Sequence, residues 1–339
     1  MAKKKNRFNI TVLGAGSWGI TLADLLYNNG NSITLWEFDR RQAEKLKKKR
    51  SFISLKNYSI PDKIKITDSL EEAVSGSDCL VVSLPTVAVK HVASRLSKLG
   101  IRQGMPVIST VKGIEGITLE TPSRILRHYL GNKVHIAVLS GPSHAEEVIK
   151  KEPTAVVIAS VNPKTTMELQ SIFSSIYFRV YTSSDLRGVE LGGALKNVIA
   201  IASGICSGLG LGDNTRAALI TRGNAEIMRL GIKLGAKKVT FSGLSGIGDL
   251  IVTCFSEHSR NFRFGKYLGS GYTVQEARDK VMTTVEGINT SKSCYRLSKR
   301  YNVQMPVCNI VYQMLFRGKE PSVALKELML RPLKSENIL

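Results

Sequence analysis

The feature that most constrains this chain is Gly14-Ala15-Gly16-Ser17-Trp18-Gly19, which directly follows the apolar run at residues 8–13. A glycine loop that leaves a strand and opens a helix commits the chain to a βαβ unit on a parallel sheet. Gly14 allows the tight turn, Gly16 lets the backbone approach a pyrophosphate, and Gly19 lets the helix pack on the sheet. Backbone amides at the start of that helix, from Ser17 onward, supply donors to phosphate oxygens. Further strand-like runs at 32–36, 80–84, 107–110, 135–139 and 154–159 alternate with helix-periodic segments such as 87–99 and 120–130. That alternation is the pattern of a doubly wound parallel sheet.

Beyond about Asp185 the pattern changes. Helical periodicity dominates at 186–207, 214–234, 273–280, 290–301 and 322–330. The reading is a Rossmann-type doubly wound α/β domain over residues 1–185, followed by an all-α domain over 186–339. A chain of 339 residues suits two domains, since one domain holds roughly 100–200 residues. Two helix starts carry the spacing of a capping box, Ser69 with Glu72 and Ser143 with Glu146. Residues 335–339 are expected to fray.

Composition excludes several classes. Hydrophobic residues make up 43% and charged residues 22%, which argues for a globular chain. The uncharged run 197–212 is 16 residues long, short of the roughly 20 that a membrane span needs. It reads as a buried helix, with no stable membrane insertion expected. The basic start, Met1-Ala2-Lys3-Lys4-Lys5, leads into a strand instead of an apolar signal region. Five cysteines at irregular spacing read as reduced thiols, Cys79 within a buried strand, and point to a cytoplasmic protein. The five histidines show no ligand spacing, so no metal is expected.

The net charge of +21 stands apart, with 48 Lys and Arg against 27 Asp and Glu. It admits a polyanion, a phosphorylated substrate or an anionic membrane surface. The plain reading is a solvated surface, carried by runs such as residues 3–5 and 45–50. No nucleic-acid motif accompanies it, so no nucleic-acid partner is expected.

Dinucleotide choice is set at the end of the second strand, here Trp36-Glu37-Phe38-Asp39-Arg40-Arg41. A carboxylate there favours the free ribose hydroxyl of NAD, and an Arg accommodates the 2′-phosphate of NADP. Both types are present. Glu37 lies 18 residues after Gly19, near the usual position, which favours NAD over NADP. Phe38 can pack on the adenine.

Four more segments stand out: Val111-Lys112-Gly113-Ile114-Glu115, Leu139 to Ala145 with Gly141 and Ser143, Gly192 to Val198 around Lys196-Asn197, and Gly248-Asp249 through Ser259-Arg260-Asn261. With the glycine loop they resemble, in order and over most of the chain, the NAD(P)-dependent glycerol-3-phosphate dehydrogenase family of bacterial and cytosolic type. The resemblance implies a homodimer with its active site in the cleft between a dinucleotide domain and a helical domain. It implies reversible hydride transfer between dihydroxyacetone phosphate and sn-glycerol 3-phosphate, which supplies phospholipid synthesis.

The residue chemistry fits that reaction. Reducing a ketone leaves an alkoxide that needs a proton. A Lys in an apolar, glycine-rich helix has its pKa drawn down by desolvation, so Lys196 suits acid–base work. Lys112 follows a strand at its carboxyl end, where open α/β sheets bind ligands, and its charge suits a developing oxyanion. Arg260 at a helix start suits an anion, the expected phosphate site. By resemblance, Lys196 is the proton acceptor for the alcohol, and Lys112 touches both substrate and cofactor. Gly141, Ser143, Asp249, Ser259, Arg260 and Asn261 match substrate contacts. Ala145 lies beside the nicotinamide, Arg260 lies near the cofactor, and Thr284 and Glu286 match cofactor contacts. Phe38 departs from many bacterial members, which carry Arg or His there, and resembles the NAD-preferring ones.

Two rival readings remain in view. A β-hydroxyacid or 6-phosphogluconate-type dehydrogenase shares the domain plan, but those enzymes place Lys and Asn four residues apart. Here Ala200 is four after Lys196 and Asn197 is adjacent. A non-catalytic nucleotide sensor or nucleic-acid-binding protein would not need Lys196, Asp249 and Arg260 together.

Overall fold

Short apolar runs with side chains buried on both faces become the strands of a single sheet. The computed structural model describes residues 7–333, 335 and 336. The basic run at 3–5 and the expected fraying at 337–339 lie outside the described residues. The strands are β1 (Asn9–Leu13), β2 (Ser32–Trp36), β3 (Lys65–Thr67), β4 (Cys79–Val82), β5 (Pro106–Ser109), β6 (His135–Ser140), β7 (Thr154–Ser160) and β8 (Phe178–Ser183). Their order is β3-β2-β1-β4-β5-β6-β7-β8.

Alternation explains why both faces are covered. In β4, Cys79 and Val81 join the core of one face, while Leu80 and Val82 join that of the other. Leu22, Leu25 and Leu26 of the helix Ser17–Asn28 cover the first face. Val89, Val92 and Leu96 of the helix Thr86–Ser97 cover the second. This is the doubly wound arrangement, and β1 to β6 are parallel. The all-parallel expectation needs correction at one edge. β7 runs antiparallel to β6, and β8 runs parallel to β7. Neither β3 nor β8 was anticipated. The first is only three residues long, and the second turns Arg179 and Tyr181 outward between buried Phe178 and Val180.

Of the two expected capping boxes, one is half formed and one is absent. Ser69 Oγ accepts the Glu72 N–H at 3.1 Å, but the Glu72 carboxylate turns to Lys65 and Thr67. Ser143 Oγ donates to the Gly141 carbonyl at 2.9 Å, and His144 takes the N-cap position of the helix Ala145–Val148. A complete box forms instead at Thr273 with Glu276.

The chain divides into two compact units. The sheet unit comprises the residues up to Val111 and Pro122–Leu186, and the helical unit comprises Lys112–Thr121 and the residues from Arg187 onward. The segment Lys112–Thr121 thus packs with the helices, which a single boundary near Asp185 does not foresee. The helix Leu186–Gly208, in the helical unit from Arg187 onward, is long and apolar enough to cross a membrane, yet its apolar stretch is wholly buried as a core helix. Around it lie Asp213–Lys233, Asp249–Phe255, Arg260–Gly269, Val274–Val281, Glu286–Arg300, Pro306–Arg317 and Pro321–Met329. Buried Glu226 starts one of these helices, accepting the Val307 and Cys308 N–H groups at 2.7 and 3.0 Å.

Glycines set the closest crossing. A Cβ on Gly204 would lie 2.0 Å from the Phe262 carbonyl oxygen, and one on Gly265 would lie 2.0 Å from that of Ile201. The helix Arg260–Gly269 therefore lies directly on the helix that carries Lys196.

Candidate active site

Lys196 is buried because the helix around it is apolar on every side, and only 5% of it is exposed. Its ammonium donates to Asp249 Oδ1 and, at 2.6 Å, to Thr253 Oγ1. Lys112 Nζ donates to the other oxygen, Asp249 Oδ2, at 2.8 Å. Asp249 opens the helix Asp249–Phe255, and Thr253 follows one turn later on the same face. The Thr253 hydroxyl gives its own proton to the Asp249 carbonyl at 2.6 Å, which turns a lone pair towards Lys196.

The charges explain the titration. Burial pulls the Lys196 pKa down to about 8, against the attraction of Asp249 and with help from Lys112. Burial pushes Asp249 up, but the ammonium groups of Lys112 and Lys196 outweigh it and hold the carboxyl below its usual range. The result is a poised proton donor beside a carboxylate that stays ionised.

A chain of amide hydrogen bonds fixes the segment that carries Lys112. The Gly287 N–H donates to Asn261 Oδ1 at 2.9 Å. Asn261 Nδ2 donates to Asn197 Oδ1 at 3.0 Å, and Asn197 Nδ2 donates to the Lys112 carbonyl at 2.9 Å. Ser259 caps the helix Arg260–Gly269, accepting the Phe262 N–H at 3.2 Å, and leaves exposed Arg260 as its first residue. Glu286 opens the helix Glu286–Arg300 next to Gly287, with exposed Thr284 just before it.

The sheet unit carries the other expected residues. Gly14 has φ +110°, and a Cβ there would meet the Ser83 carbonyl at 2.4 Å. A Cβ on Gly19 would fall 1.8 Å from the Gly14 oxygen, so loop and helix touch backbone to backbone. Gly16 instead faces open space, with nothing within 4 Å of a Cβ. No side chain caps the helix Ser17–Asn28. Uncapped amides at Ser17 and Trp18 above an open Gly16 fit a dinucleotide pyrophosphate. Glu37 Oε2 accepts the Ala15 N–H of this loop at 3.3 Å, and Oε1 accepts the Asp39 N–H at 3.0 Å. Burial raises the Glu37 pKa, against those hydrogen bonds. Phe38 is 63% exposed and meets Trp36 and His91 edge to face, 6.2 Å from each. After β6 come Gly141, Ser143 and Ala145. Thr21 Oγ1 approaches the Ala145 carbonyl at 3.4 Å, which sets Ala145 beside the helix of the glycine loop.

Of the expected residues, Lys112, Lys196 and Asp249 meet directly, and Asn261 joins them through Asn197. The glycine loop and Glu37 meet in the sheet unit. Sequence reasoning missed Thr253 and the bridging role of Asn197. The four-residue spacing from Asp249 to Thr253 was the available signal.

Comparison with known proteins identifies the family of the chain. The model of the NAD-dependent glycerol-3-phosphate dehydrogenase N-terminus matches residues 9–166, and that of the C-terminus matches residues 185–326. The chain is similar to the glycerol-3-phosphate dehydrogenase, NAD(P)+, of Fusobacterium nucleatum. It is 48% identical over 329 residues, covering 96% of this chain and 98% of that relative. The Thermoanaerobacter protein of the same name is 47% identical over 327 residues, covering 96% and 98%. A crystal structure of glycerol-3-phosphate dehydrogenase from Coxiella burnetii superposes with a TM-score of 0.92 at 36% identity, covering 96% of this chain and 99% of that one.

Proposed function

The chain belongs to the NAD-dependent glycerol-3-phosphate dehydrogenase family, and on that premise we propose how its residues carry out the reaction. It is an NAD(P)-dependent oxidoreductase that interconverts dihydroxyacetone phosphate and sn-glycerol 3-phosphate, feeding phospholipid synthesis. The observation that most supports this reading is the cluster of buried Lys196 and Asp249 with half-buried Lys112. Bound at the glycine loop formed by Gly14, Gly16, Ser17, Trp18 and Gly19, the reduced dinucleotide supplies the hydride.

The protein's own groups manage the oxygen and the phosphate. Lys196 Nζ gives its proton to the oxygen of the forming alcohol and takes it back in the reverse direction. Asp249 holds both ammonium groups in place, and the Lys112 ammonium stabilises negative charge on that oxygen. Arg260 binds the phosphate and lies near the cofactor, with Ser259 and Asn261 beside it. Gly141 and Ser143 bind substrate oxygens. Ala145 borders the nicotinamide, Phe38 packs on the adenine, and Thr284 and Glu286 complete the cofactor contacts. Glu37 favours NAD, because a carboxylate at this strand end repels a 2′-phosphate. The family resemblance supports a homodimer working in the cytoplasm.

A spectrophotometric assay of dihydroxyacetone phosphate with NADH and NADPH in parallel tests this. Turnover with both, and a higher kcat/KM with NADH, is expected. A preference for NADPH would refute the role of Glu37. Lys196→Ala should lower kcat by about 100-fold or more while NADH still binds in a fluorescence titration. Near-normal turnover would remove Lys196 from the chemistry.

A further inference from the structure

The helix Arg40–Lys49 buries Ala43 and Leu46 and is capped by Asp39, whose carboxylate accepts the Gln42 N–H at 2.7 Å. Its outward face carries Arg41, Lys45, Lys48 and Lys49, spaced i, i+4, i+7 and i+8, all exposed. The acid of this helix, Glu44, is taken by Lys47 at 2.9 Å. Among the described residues no carboxylate pairs with Lys45, Lys48 or Lys49. The chain just beyond continues the character, with Lys56 and Lys63 exposed and Ile53 88% exposed. Between residues 40 and 65 there are ten Lys and Arg against two Asp and Glu. Apart from Arg41, which lies in the segment that sets dinucleotide choice, the chemistry of the reaction gives this row no task.

We propose that this face is a docking surface for an anionic lipid bilayer. Charge complementarity here is joined to one apolar anchor. A row of ammonium groups on a rigid helix attracts acidic headgroups, and each cation near such a surface adds roughly five-fold to partitioning. Ile53 beyond the helix end can enter the boundary between headgroups and acyl chains, which gives the second signal that stable peripheral binding needs. A nucleic-acid backbone would use the charge but not an exposed aliphatic side chain. The row also presents no Asn, Gln or aromatic side chain to bases. Binding of this kind is reversible, shallow and salt-sensitive.

Co-sedimentation of the full chain with vesicles tests the proposal. One set is phosphatidylcholine alone, and the other is one third phosphatidylglycerol, each at low and high salt. Binding to the acidic vesicles about 100-fold stronger than to the neutral ones, lost at high salt, is expected. Lys45→Glu with Lys48→Glu and Lys49→Glu should abolish it while kcat for dihydroxyacetone phosphate in solution stays unchanged. Should that variant misfold, the corresponding triple Gln variant serves, with about a 100-fold loss expected. Ile53→Ser should weaken binding by a smaller factor and keep its salt dependence. Equal partitioning to both vesicle types would overturn the proposal. So would unchanged binding by the triple variants, or retention of duplex DNA or RNA in place of vesicles.

Discussion

A buried ammonium is favoured in its charged form by a carboxylate against it, and Asp249 does this for Lys196 while its other oxygen pairs with Lys112. In the proposed mechanism, reduction needs Lys196 protonated and oxidation needs it neutral. With its pKa near 8, kcat/KM for reduction should hold below that pH and fall above it, while oxidation should rise through it. Asp249→Asn removes the attraction and leaves Lys112 repelling. The Lys196 pKa then drops further, and the break in both profiles should move to lower pH by about one unit or more. A break that stays in place would assign the titration to another group. The ionisable members of this site were legible because Lys and Asp in glycine-rich, apolar surroundings invite a chemical explanation. Thr253 and Asn197 were not, because a lone hydroxyl or amide in a helix reads as packing. The Thr253 partner Lys196 lies 57 residues away. Ser143 and Ser259 show the reverse limit, since their hydroxyls also serve the local backbone, one on the Gly141 carbonyl and one as a helix cap.

Elements place these residues through how closely backbones approach. The contact of Gly265 with the Ile201 carbonyl brings the Arg260 helix onto the Lys196 helix. In an open helix, Gly→Ala gains up to about 1 kcal/mol. At Gly265 the sign should reverse, because a Cβ 2.0 Å from a backbone oxygen forces the helices apart. Gly265→Ala should destabilise by about 1–3 kcal/mol, read as a lower Tm. Because Arg260, the proposed phosphate ligand, opens the same helix, KM for dihydroxyacetone phosphate should rise more than kcat falls. An unchanged Tm would show that the crossing tolerates the methyl group. The parallel core of the sheet was legible from its apolar runs and from the glycine loop. The direction of β7 was not, because strand composition does not encode polarity and the reversal depends on the short connection after the helix Ala145–Val148. The helix Asp249–Phe255 escaped notice for a similar reason. At seven residues it is too short for its periodicity to register, although it carries Asp249 and Thr253.

At the scale of the molecule, the +21 excess far exceeds the cations of the proposed reaction centre, Lys112, Lys196 and Arg260, one of whose charges Asp249 already offsets. The rest forms a positive field over the surface. Such a field speeds the encounter with anions without changing events after binding, so it acts on kcat/KM and leaves kcat alone. Its reach is set by salt, with a screening length near 10 Å at 0.1 M and about 3 Å at 1 M. With NADH saturating, kcat/KM for dihydroxyacetone phosphate should fall several-fold between low and high salt, and kcat should stay nearly flat. Dihydroxyacetone, which lacks the phosphate, supplies the control. Its far smaller kcat/KM should not respond, because the field has no charge to act on. An equal salt response from both substrates would place the effect on the protein's own conformation, and the excess would then have no part in substrate capture.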